Sequence, residues 1–130
     1  ALSEQLAYEL VPYGINVTII EPGGYPTQIW TKRVNYNKAL LERVEDERKK
    51  AYAPFIDRMT SDGGGGNTNP IDIPRNITEI IMMPKGDRPL RRPVHPVYIP
   101  QAKINKVSAD AQLEMLGNSP FGPLVKSVIK

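Results

Sequence analysis

Cysteine is absent from this chain, which excludes disulfides, thiolate metal sites and cysteine nucleophiles together. There is a single histidine, His95. A histidine-rich metal centre is therefore excluded, and any Ser-His-Asp triad would have to use that one ring. An excess of one charge is also lacking: a formal charge of +3 over 130 residues gives no compositional support for nucleic acid or an anionic membrane as partner. No apolar run approaches the ~20 residues that span a bilayer. What is present, 40% hydrophobic and 24% charged residues, suits an ordinary globular chain with room for one modest core. Proline and glycine are plentiful, at 13 and 10, and crowd the region between 60 and 100. That crowding implies long irregular connections rather than a second domain.

The chain opens at Ala1-Leu2-Ser3-Glu4, already within a helical pattern, with neither an initiator methionine nor an N-cap or signal peptide ahead of it. The expectation is a piece of a longer, cytoplasmic protein. Leu2, Leu6 and Leu10 repeat every fourth residue beside Ala7 and Val11, which predicts an amphipathic helix over residues 1–13. Gly14 is its expected left-handed stop.

The stretch Ile15-Asn16-Val17-Thr18-Ile19-Ile20 follows almost without a loop and ends at Glu21-Pro22-Gly23-Gly24-Tyr25-Pro26-Thr27. β-branched residues on both alternating sets predict a strand buried on both faces, as in a parallel sheet. A helix feeding directly into such a strand is half of a βαβ unit. In open parallel sheets, ligands bind beyond the carboxyl ends of the strands, which makes Pro22–Thr27 the candidate ligand loop.

Further along, residues 25–37 have mixed composition. A helix is expected from Lys38 to Ala51, with Leu40, Leu41 and Val44 on its apolar side and the charge run 45–50 in solvent. A short second helix would start at Pro54. Asp62–Asn67 is a flexible connector by composition; no Gly-Lys-Ser/Thr follows it and no strand leads into it, so it is read as a linker rather than a P-loop. Asn69-Pro70 suggests a helix start, or Asp72 a later one, with Ile73, Ile77, Ile80 and Ile81 as its stripe. The prolines of residues 93–99 restrict this strand-like run to an edge strand or an extended segment, with His95 exposed in it rather than acting as acid or base. Ser108 could cap a last helix, and the tail beyond Gly117 reads as a loop. The sequons at Asn16 and Asn76 are discounted, since no secretory context is visible.

The order of these motifs resembles the C-terminal part of a classical short-chain dehydrogenase/reductase. Leu2–Leu10 looks like the back half of the family's catalytic helix. Val11-Pro12-Tyr13-Gly14-Ile15-Asn16-Val17 looks like its turn into the next strand, and Pro22-Gly23-Gly24-Tyr25-Pro26-Thr27 fits the Pro-Gly-x-x-x-Thr loop. The likeness is specific over residues 1–30, weaker to 99, and slight beyond.

It implies an α/β fold, the C-terminal part of a Rossmann-type parallel sheet with flanking helices. Residues 1–130 would form a partial NAD(P)-binding domain: cofactor loop 21–30, lid region 25–68, C-terminal helix and edge strand 69–99, tail 100–130. Pro22, Gly23, Gly24 and Thr27 would hold the nicotinamide end of NAD or NADP. The Thr27 hydroxyl is suited to this because a carboxamide needs both a donor and an acceptor. Tyr25 and Trp30 would belong to a substrate lid. For Thr27 the alternative is a loop residue or helix cap, and for Trp30 an anchor to the core.

The family's glycine-rich fingerprint, catalytic serine and Tyr-x-x-x-Lys pair do not occur in this chain, so the segment is expected to be inactive alone. The parent would interconvert an alcohol and a carbonyl as a homodimer or tetramer, and the Leu2/Leu6/Leu10 helix could pack on its own sheet, on a partner, or on both. The rival expectation is a non-catalytic truncated homologue or a small α/β interaction module.

Overall fold

The computed structural model describes residues 1–61, 64 and 66–129. The chain divides into two compact units: Ala1–Gly23 with Ile71–Lys130, and Gly24–Pro70. The fold is mixed α/β, mostly helical, and its sheet among the described residues is one pair of parallel strands.

In the first unit, α1 (Leu2–Leu10) runs into a 3-10 turn over Val11–Tyr13, and Gly14, at φ 71°, stops it as expected. The helix does not bury its leucine stripe. Ala7 is 2% exposed and lies in the core, whereas Leu2 is 75% exposed. The close approach of α1 to α7 (Gly122–Val128) is made on the small residue, a packing that the larger leucines would obstruct.

β1 (Ile19–Pro22) is shorter than the expected strand, and its residues are half-buried or exposed rather than covered on both faces. It pairs in parallel with β2 (Arg91–Val94), with Ile19 opposite Arg91 and Pro22 opposite Val94. A strand extends only as far as its hydrogen-bonding neighbour, and β2 offers four residues. The expected edge strand 93–99 is corrected accordingly: β2 ends at Val94, and His95 lies in the irregular segment that follows.

Ile19 N–H donates to Leu90 O at 2.7 Å and Gly23 N–H to Val94 O at 2.9 Å. Alternation along the strand then points the nitrogen of Pro93 away from β1, where its missing donor costs the ladder nothing. It also points the N–H of Ile20 away from β2.

Charged side chains tie distant elements of this unit together. Arg91 donates through Nε and an Nη to one carboxylate oxygen of Glu4 of α1; the arginine side chain is largely buried and the glutamate half-buried. Arg92 reaches Asn76 and Glu79 of α5 (Asp72–Met82), each at 2.9 Å. α5 begins at Asp72 rather than Pro70. This leaves Pro74 in the first turn, where backbone N–H groups have no helical acceptor.

The largest departure is at the C-terminus. α6 (Gln101–Leu116) begins seven residues before Ser108, and Pro100 occupies the position ahead of it. The tail expected to be a loop contains α7, with Pro123 in its first turn. Val125, Val128 and Ile129 join Ala7 and Leu90 to make the core cluster.

The second unit holds α2 (Gln28–Leu41), α3 (Asp46–Ala51) and α4 (Ala53–Thr60). α2 starts ten residues earlier than the helix expected from Lys38 and stops before Val44. Trp30, Val34, Asn37 and Leu41 fall on one face at i, i+4, i+7 and i+11, and Asn37 breaks the apolar signal. Asn37 earns its place by donating to Met59 O of α4 at 2.8 Å. α3 carries Asp46 and Glu47 in its first turn and Arg48, Lys49 and Lys50 in its last, complementing the helix dipole. Pro54 sits in the first turn of α4, as expected. Of the expected connector, Asp62, Gly63 and Gly65 lie outside the described residues.

Candidate functional site

The boundary between the units falls between Gly23 and Gly24, so the loop residues belong to two groups. In the first unit, Pro22 ends β1 and is exposed, at the carboxyl end of the parallel pair. Gly23 continues the ladder through its N–H to Val94 O. A Cβ on Gly23 would stand 2.7 Å from Cδ2 of His95, so the bare Cα is what lets the imidazole lie against the strand end.

His95 in turn holds its loop. Its Nδ1 accepts the N–H of Val97 at 3.2 Å and of Tyr98 at 3.0 Å. His95 is half-buried just past the end of β2, a structural element of the strand end rather than an exposed strand residue. Glu21, one residue before the break, accepts Asn105 Nδ2 of α6 at 2.6 Å.

In the second unit, Gly24 O accepts the hydroxyl of Thr68 at 3.0 Å. Tyr25 is 4% exposed, so it is a core residue of its unit. Thr27 is exposed and stands at the N-cap of α2 in extended conformation, with no side-chain capping bond. Its carbonyl accepts Trp30 N–H, while its hydroxyl adds nothing to the cap.

Trp30 is half-buried and fixed on several sides. Its indole N–H donates to Tyr25 O at 2.6 Å, and the Arg33 guanidinium lies 4.8 Å from its ring centre. The ring also fills the space a Cβ on Gly64 would take. Arg33 Nε is buried without a hydrogen-bond partner among the described residues, which the contact with the indole face offsets in part. Pro26, Thr27, Gln28, Trp30, Thr31 and Gly64 line an open depression of about 430 Å³. Thr27 and Trp30 are therefore brought to one surface, and Tyr25 is withdrawn from it.

A larger cavity of about 540 Å³ lies in the first unit between Leu90, Arg91 and α6. It opens at the amino end of β2 and contains none of the loop residues, so it is a poor candidate for chemistry at the strand carboxyl ends. Among the described residues no cluster of His, Asp and Glu could hold a metal ion, and no helix is long and apolar enough to cross a membrane.

One residue of this region escaped the sequence reading in its role. His95 is 72 residues from Gly23, and only the parallel register brings them together. The available signal was Pro93-Val94-His95-Pro96, a strand-like run closed by proline. Comparison with family models, with curated proteins and with solved structures finds no match to this chain.

Proposed function

We propose that this chain is the C-terminal segment of a Rossmann-type, NAD(P)-dependent oxidoreductase that interconverts an alcohol and a carbonyl. Pro22, Gly23, Gly24 and Thr27 hold the nicotinamide end of the cofactor, and the Gly24–Pro70 unit bears on the substrate. One observation carries the reading. β1 is a parallel strand whose carboxyl end is the Pro22-Gly23 break, the position at which open α/β sheets bind ligands.

Two further features support it. The Thr27 hydroxyl is exposed and unused by its own helix, which leaves a donor and an acceptor for a carboxamide. The outward N–H and C=O of Ile20 leave β1 a backbone edge to which a further parallel strand can bond, with Pro22 at its end supplying no donor. The chain's own residues would bind and orient the cofactor. The general acid for the carbonyl oxygen would come from outside this segment.

The test is made on the full open reading frame, with NADH and NADPH oxidation against a panel of carbonyl compounds. Thr27→Val should raise the cofactor KM roughly two- to tenfold, the loss of one hydrogen bond worth about 0.5–1.5 kcal/mol. Unchanged cofactor kinetics would remove Thr27 from the site. Absence of a Tyr-x-x-x-Lys pair shortly before Ala1 would remove the enzyme reading itself. A small α/β interaction module is then the reading that stands, favoured by the exposed apolar side chains of α1 and α6.

A further inference from the structure

α6 is apolar on two opposite faces, and the first unit uses only one of them. Asn105, Ala109, Leu113 and Leu116 turn inward: Ala109, Leu113 and Leu116 pack on the core cluster, and Asn105 bonds Glu21 of β1. On the other side stand Ile104, Val107, Ala111 and Met115, at i, i+3, i+7 and i+11. At ~100° per residue these four share an arc of about 80°. Ile104 is 66% exposed, Val107 69% and Met115 72%. A helix with apolar residues on both faces is stable where both are covered. The arrangement of this outer stripe identifies what covers it.

The stripe is self-complementary when reversed. Two antiparallel copies of α6 centred between Val107 and Ala111 place Ile104 against Met115 of the second copy and Val107 against Ala111. The small Ala111 at the centre lets the helix axes approach, and the larger residues close the ends. Exposed Tyr98 before the helix and Phe121 after it are spaced almost equally from the same centre.

The charges agree with this arrangement. A two-fold axis across antiparallel helices brings each flank of one helix against the same flank of the other. Lys103 and Glu114 border the stripe on one flank, near opposite ends, and neither makes an ion pair among the described residues. Pairing places each Lys103 beside Glu114 of the other copy. Asp110, close to the axis, is already engaged by Lys106 at 2.8 Å. Lys103, Lys106, Asp110 and Glu114 together carry no net charge, which argues against an anionic lipid surface as the occupant.

From this geometry we infer that the outer face of α6 is an isologous dimerisation surface, and that its occupant is the same face of a second copy in antiparallel orientation. The inference does not rest on the nicotinamide reading, and either can fail alone.

Sedimentation equilibrium of the 130-residue chain tests it, with far-UV circular dichroism as the check on folding. The chain should show a concentration-dependent dimer. Val107→Glu, on the solvent side of α6, should weaken the dimer roughly tenfold or more while the helical signal is retained. Lys103→Glu should also weaken it, and adding Glu114→Lys to that variant should restore it, because the swap rebuilds both pairs across the axis.

Orientation is read separately, in a background free of native cysteine. Oxidising an equimolar mixture of Val107→Cys and Ala111→Cys chains should give the mixed 107–111 disulfide in preference to either homodisulfide. A chain that stays monomeric, a dimer indifferent to Val107→Glu, failure of the charge swap to restore association, or preferred 107–107 crosslinking each overturns the proposal. So does binding of the folded chain to phosphatidylcholine–phosphatidylglycerol vesicles through the same stripe.

Discussion

The two units hold themselves together in different ways. In Ala1–Gly23 with Ile71–Lys130, the contacts that matter join residues far apart in the chain: Ala7 with Val125, Arg91 with Glu4, Gly23 with His95, Tyr8 with Gln112. In Gly24–Pro70 the ion pairs among the described residues are one helical turn long, Arg48 with Glu45 and Lys49 with Asp46. Of those residues only Tyr25 and Val34 are buried, and the bonds of longer reach, Asn37 to Met59 and Thr68 to Gly24, lie at the surface. Long-range contacts require the whole unit to be in place before any of them forms, so they confer cooperativity. Short-range pairs form within a helix whether or not its neighbours are docked. The first unit is therefore expected to unfold as a block, and the second to yield helix by helix.

The strongest way to break this contrast is Leu90→Ala. Leu90 lies within the core cluster, and its truncation should cost about 2–5 kcal/mol in urea unfolding followed by circular dichroism. Fluorescence of Trp30, the chain's one tryptophan, reports the second unit. Identical midpoint shifts by both probes would erase the distinction between the units.

Gly23→Ala should cost about 1–3 kcal/mol, because the new methyl meets the His95 ring. In a His95→Ala background the same change should cost measurably less, and strict additivity would deny the contact. A paired comparison follows. Arg91→Met strands the half-buried Glu4 carboxylate and should cost about 1–3 kcal/mol, while Arg48→Met, on an exposed one-turn pair, should stay within about 0.5 kcal/mol. Equal losses would mean that reach across the sequence is not what distinguishes the units.

The smallest expected effect is a pH dependence. Burial raises the Tyr8 phenol above the usual tyrosine range, the nearby Glu4 carboxylate adds to this, and Arg91 opposes it. Because the folded chain holds that proton more tightly than the unfolded one, Tyr8's contribution is complete below about pH 10 and is lost as pH rises from there through the raised folded-state value. Tyr8→Phe should flatten this part of the alkaline loss. An unaltered slope between pH 9 and 11 would assign the loss to other groups.

How much of this was legible depended on whether the signal was local. Gly14 as a stop, Pro54 in a first turn and a helix from Asp72 follow from backbone chemistry that neighbouring residues cannot change much. The break at Pro22-Gly23 was visible for the same reason. The buried face of α1 was not, because Leu2 and Leu6 are more apolar than Ala7, and close packing against α7 selects for size rather than hydrophobicity. α2 was obscured by Asn37, a polar residue on an inward face. The 122–128 helix was hidden by Gly117, Pro120 and Pro123, which resemble loop punctuation until Pro123 is seen in a first turn. At the candidate site the sequence identified Pro22, Gly23 and Thr27 as a motif, while the packing of His95 on Gly23 depends on strand register, which no short window contains.

Both edges of the two-stranded sheet carry a proline: the alternation that turns Pro93 outward from β2 turns Pro22 outward from β1. Each edge offers a neighbouring strand one outward N–H, of Ile20 or of Arg91, followed two residues on by a position with no donor. A sheet this short, interrupted by proline on both sides, gives a second chain no continuous ladder to extend, so its edges are poor templates for a fibre.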